Sequence, residues 1–135
     1  MVGTPGIKPN KENLHSPLNI RGDVIELNVT INTGARDGGP NGAANVGAAS
    51  TKLEPGLLLA PHSSGDYRNL TTTSGAINDE DRIVVLLDYI DAADGEQMAH
   101  VAFGGSAIFK RDQIRYTIAA DKTNIDWDNV TIPTI

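Results

Sequence analysis

Eight residues, Val24 to Ile31, alternate without a break: Val24, Glu26, Asn28 and Thr30 on one side, Ile25, Leu27, Val29 and Ile31 on the other. A period of two with branched aliphatics on one side predicts a strand with one buried face. A second run, "IVVLLDYI" at 83–90, is apolar throughout and predicts a strand buried on both faces. A chain carrying both kinds of strand must fold around a β core. Between them, "LEPGLLLAP" at 53–61 sets the turn signal Pro55-Gly56 before a short apolar strand, with a weaker strand expected around Tyr67 to Thr72. "QMAHVAFGGSAIF" predicts a strand pair or a bent strand, with Gly104-Gly105 at the bulge or kink.

The flanks are less regular. Pro5, Pro9 and Pro17, with Gly3 and Gly6, predict an extended arm over 1–19, because proline fixes φ and removes a donor. Two readings of it stand, a disordered tail or an arm that orders on a partner surface. Residues 32–52 are Gly/Ala-rich with almost nothing to bury, so they read as either functional or disordered. In "RDQIRYTIAAD", at 111–121, Ile114 and Ile118 fit one helix face, while Ile114, Tyr116 and Ile118 also alternate. A short helix or turn is the preferred reading. Trp127 is expected to anchor the tail against the core. The organisation is thus an arm at 1–19 and one mostly β domain at 20–135, with a loop at 32–52. The 135 residues allow one core, and with aromatics at only 4% its packing must be aliphatic.

Composition narrows the function. The net charge is −6, and the 11 basic residues form no stripe, which argues against nucleic acid as partner. Apolar runs such as "GLLLA" are too short to cross a bilayer, and the N-terminus lacks the apolar region of a secretory signal, so expression in a cytoplasm is the expectation. Without cysteine there are no disulfides, thiolate nucleophiles or cysteine–zinc sites.

The densest acidic stretch is "LLDYIDAADGEQ", with Asp88, Asp91, Asp94 and Glu96. A three-residue spacing between strands does not match an EF-hand, which alternates oxygen ligands and closes with a distant Glu; another kind of calcium loop stays open. A glycosidase pair needs one carboxyl in an apolar cleft, and Asp88 alone is a candidate for burial; the others suit an exposed turn. His15, His62 and His100 lie far apart and read as isolated imidazoles. Ser63, Ser64 and Ser106 lack a nucleophile elbow, and "FGGSA" lacks a phosphate-loop lysine. No catalytic residue, cofactor or metal is expected. "RGD" at 21–23 and the glycosylation-like triplets at Asn28, Asn69 and Asn129 are short enough to arise by chance.

From Leu53 to Ile114, about half the chain, the order of these features resembles the lambda-type head decoration, or capsid cement, proteins of tailed phages. The matching positions are Pro55-Gly56, Gly65-Asp66-Tyr67, Ile83 to Leu87, Asp91-Ala92 and Gly104-Gly105. The resemblance implies a small β-barrel or β-tulip-like domain with at most one or two short helices, acting as a homotrimer on the outer surface of the expanded virion head. It also implies that the N-terminal arm adds to the major capsid protein. Expected contacts are then Pro5, Ile7, Pro9, Leu14, Pro17, Leu18 and Ile20 of the arm, with Ile25, Leu27 and Val29 of the following strand. Residues 32–52 have no counterpart in that pattern. The alternative is another virion module, a small tail or fibre domain with an adhesive role, in which "RGD" and the Gly-rich loop would matter more.

Overall fold

The computed structural model describes residues 19–21, 24–78, 80–105, 108–130 and 134. The fold is mostly β, as the alternation requires. In chain order the strands are β1 (Asn19–Arg21), β2 (Val24–Ile31), β3 (Lys52–Leu53), β4 (Leu58–Pro61), β5 (Tyr67–Arg68), β6 (Thr72–Thr73) and β7 (Ala76–Ile77). They continue with β8 (Val84–Leu86), β9 (Ile90–Asp91), β10 (Gln97–Gly105) and β11 (Ile108–Phe109), before one short helix, α1 (Ala119–Asn124).

Five strands close into a barrel in the order β10-β2-β5-β4-β8, with β8 pairing back onto β10. The longest ladder is antiparallel β2–β10, from Ile31 opposite Gln97 to Val24 opposite Gly105. Phe103 is the extra residue of a bulge between Ala102 and Gly104, so the expected kink falls just before the glycine pair. Beyond it the ribbon continues as β1–β11. Only the bridge Ile31–Tyr67, parallel in sense, joins β2 to β5.

The core divides according to strand parity. Val29, Ile31, Leu57, Leu59, Val84, Leu86, Ala99 and Val101 form one buried cluster, with Tyr67 packed against it. All five barrel strands or their flanking residues supply it, so it is the lumen. Leu58, Ala60, Ile83, Val85, Leu87 and Ala102 point the other way, into a second cluster roofed by Phe109, Ile114, Tyr116 and Ile125. Residues 83–87 are therefore buried on both faces, as the continuous apolar run predicts. That run ends earlier than expected: Asp88 and Tyr89 break it, and Ile90–Asp91 pairs separately with Lys52–Leu53.

At Pro55-Gly56, Gly56 has φ +106° at the third turn position, where a type II turn needs a left-handed residue. Residues 111–121 are helical only at their ends, with a 3-10 turn at Arg111–Gln113 and α1 from Ala119. The middle is extended, bridging Leu57 through Arg115 and Ala43 through Ile118. Tertiary pairing decided a segment whose local pattern fitted both periods. Trp127 packs on the second cluster, with the Arg111 guanidinium 4.8 Å from its ring centre.

Candidate functional site

Six large hydrophobic side chains are exposed among the described residues: Tyr89 and Met98 most of all, then Ile25, Leu27, Val46 and Phe103. On β2 the inward stripe runs Ile25, Leu27, Val29, Ile31, yet only Val29 and Ile31 are buried; Ile25 is 50% and Leu27 43% exposed. This corrects the expectation that the whole stripe is covered. Leu27 sits opposite fully buried Val101, but no other strand of the barrel pairs with β2 at that level. The stripe leaves the barrel at its end. Phe103, the extra residue of the bulge, is 41% exposed. Between Leu27, Phe103, Tyr67 and Ile83 lies a hollow of about 210 Å³, also bordered by Asp81 and Arg82. Ile25, Leu27 and Phe103 thus form an apolar lip at the barrel mouth.

Of the expected contact residues, Pro5, Ile7, Pro9, Leu14, Pro17 and Leu18 lie outside the described residues. Ile20 belongs to β1, which pairs with β11. Ile25 and Leu27 are exposed, and Leu27 shares a hollow with Phe103, which the sequence reading missed; its signal was the adjacent glycine pair, which favours a bulge. Val29 is buried in the lumen and is not available to a partner, a correction that follows from its depth along the barrel. Of the "RGD" triplet, Arg21 lies in β1, and Gly22 and Asp23 fall outside the described residues.

The acidic stretch resolves into separate tasks. Asp91 caps the 3-10 turn Ala92–Asp94 by accepting from the Ala93 amide at 3.0 Å, and Gly95 with φ +107° ends it. Asp88 is not buried: it accepts from the His100 backbone amide at 2.7 Å and lies 3.0 Å from His100 Nδ1. His100 is therefore partnered, and so is His62, which receives Arg68 Nε at 3.0 Å. Among the described residues no three His, Cys, Asp or Glu side chains gather as a metal cluster. An open groove of about 450 Å³ lies between Lys52–Glu54 and Tyr89–Asp91.

The buried polar groups lie elsewhere, and one of them, Asp37, is in the loop read as having almost nothing to bury. Asp37, with a fully buried side chain, accepts from the amides of Gly39 at 2.8 Å and Glu54 at 2.9 Å. Arg115 Nε reaches both its oxygens, at 3.1 and 2.9 Å. Its backbone bridges Ser50, and neighbouring Ala35 is buried in the lumen cluster. Residues 32–52 are thus pinned to the barrel. Asp66 accepts from Asn32 Nδ2 and from Ser64 Oγ, both at 2.6 Å, and these bonds hold its carboxyl below the usual range. Each of these carboxylates organises a loop.

What the geometry defines is a small closed barrel with an apolar lip and no assembled catalytic group among the described residues. No family model, no curated protein and no solved structure matches this chain.

Proposed function

We propose that the protein is a capsid decoration protein, a trimeric cement that seats on the outer face of an expanded phage head. The observation that carries this reading is the exposed lip of Ile25, Leu27 and Phe103. It stands where β2 follows the arm in sequence, on the segment for which shell contacts are expected. Exposed apolar clusters on small proteins mark contact surfaces, because covering them releases about 25 cal/mol per Å² of apolar area. Further support comes from the motif order: the Pro55-Gly56 turn, the strand at 83–87, the Asp91-Ala92 cap and the bulge before Gly104 all fall at structural corners or in the core.

In this reading the protein acts by binding and not by catalysis. A ligand that binds the assembled shell stabilises it by RT ln(1 + [L]/Kd), about 2.7 kcal/mol at a hundredfold excess over Kd. Repeated over many sites, that gain opposes the outward pressure of packaged DNA. The partner is the major capsid protein, and neither nucleic acid nor a membrane takes part.

The test mixes the purified protein with expanded heads stripped of decoration, and measures cosedimentation and the temperature of head disruption. Binding with a higher disruption temperature is expected, and both should be lost in a Leu27→Asp, Phe103→Asp double variant whose circular dichroism is unchanged. Absence of binding to such heads, with binding to cells or glycans in its place, would sink the proposal.

A further inference from the structure

The six-residue helix α1 buries a single side chain, and that side chain is a carboxylate, Asp121. Helices dock through apolar residues; this one docks through a group whose polarity depends on a proton. Asp121 Oδ2 accepts from the Ile118 amide at 3.4 Å, whereas Oδ1 is buried with no hydrogen-bond partner among the described residues. An ionised carboxylate in that position forgoes hydration on one oxygen without replacement.

The start of α1 is also one half of a clasp. Gly38 N donates to Tyr116 O at 2.8 Å and Tyr116 N to Gly39 O at 2.9 Å. Ala43 N donates to Thr117 O at 3.2 Å, and Ala119 N to Ala43 O at 2.8 Å. Thr117 Oγ1 and Lys122 Nζ add bonds to Arg36 O and Asn41 Oδ1. The Gly-rich loop at 36–43 is therefore held by the segment that Asp121 anchors.

We propose that Asp121 is a proton-controlled latch: protonated, it keeps α1 seated, and ionised, it promotes swinging out of α1 with release of the 36–43 loop. Burial pushes its carboxyl up to about 6, while the Ile118 amide pulls the other way. Among the described residues, the charged groups of α1, of the clasp and of their flanks have other partners. Arg36 bonds the carbonyls of Thr33 and Ala35, Arg115 holds Asp37 and Glu54, and Lys122 reaches Asn41. Glu80 accepts from the Asp126 amide at the far end of the helix, and Asp126 bonds the Asp128 amide and the Asn129 side chain. Tyr116 is buried with its hydroxyl pushed up in pKa, chiefly by desolvation, and β7, packed on α1, brings no titratable group.

The measurement is amide hydrogen exchange by NMR on the full chain, corrected for intrinsic rates, at Ala43 and Ala119. If opening returns Asp121 to an ordinary carboxylate, the opening constant rises about tenfold between about pH 5 and pH 7.5 and then levels off. Amides of the β2–β10 ladder should not follow, and Asp121→Asn should remove the rise. Carbon-detected titration of the Asp121 carboxyl, which needs no variant, should give a midpoint well above an ordinary carboxylate. A pH-independent opening at Ala43 and Ala119, the same rise in Asp121→Asn, or an ordinary midpoint would each overturn the latch.

Discussion

At the residue scale, two buried carboxylates act with opposite sign on stability. Asp66 has a depressed pKa through its bonds to Asn32 and Ser64, so its contribution is present above the ordinary carboxylate value and disappears as pH falls through the folded one. Asp121 has a raised pKa, so its contribution is greatest below its ordinary value of 3.8 and is lost as pH rises through about 6. Asp66→Asn is accordingly expected to flatten the acid limb of a stability–pH curve measured by urea unfolding, while Asp121→Asn flattens the decline between about pH 4 and pH 6. Asp37 makes a different prediction. Its removal leaves Arg115 and the amides of Gly39 and Glu54 without their acceptor. Asp37→Ala should cost about 3 kcal/mol in urea unfolding, near the lower end for a broken buried pair because Arg115 keeps partial access to water.

At the element scale, the 32–52 loop is the main departure from expectation. Two of its glycines, Gly38 and Gly42, mark close backbone approach and not freedom. A Cβ on Gly42, whose φ is +74°, would lie 2.3 Å from the Ile118 carbonyl carbon. Gly42→Ala therefore meets both a left-handed backbone and a clash with main chain, and should destabilise by at least about 2 kcal/mol in thermal or urea unfolding. Alternation was a sound guide to where β2 lies and a partial guide to its burial. Its register with β10 is set by pairing, but the barrel covers only half of its length. The same limit explains 111–121, where neighbours and not local periodicity select an extended middle between two helical ends.

At the scale of the whole molecule, the barrel carries an apolar lip, and in the proposed reading the arm and the lip act together on the shell. Deleting residues 1–19 should then weaken head binding while the far-ultraviolet circular dichroism and the cooperativity of unfolding stay close to those of the full chain. Equal binding of the truncated and full chains would leave the lip as the whole contact and remove the arm from the mechanism.

Two strands, a turn at Pro55-Gly56, an acidic turn after Asp91 and a β-rich class were determined by the sequence alone. Each rests on local rules: period-two patterning, proline and glycine backbone preferences, and side-chain capping. Closure of the barrel, the exposure of Ile25 and Leu27 beside buried Val29, the projection of Phe103 and the burial of Asp37, Asp66 and Asp121 were decided only by tertiary structure. Burial depends on which segments meet, and those segments lie far apart in sequence: Arg115 reaches back to Asp37, and Ala43 to Ile118. Of the four clustered carboxylates, Asp91 caps a turn and Asp88 holds the His100 amide. The carboxylates that the fold buries stood singly, in stretches where composition offered no sign of them.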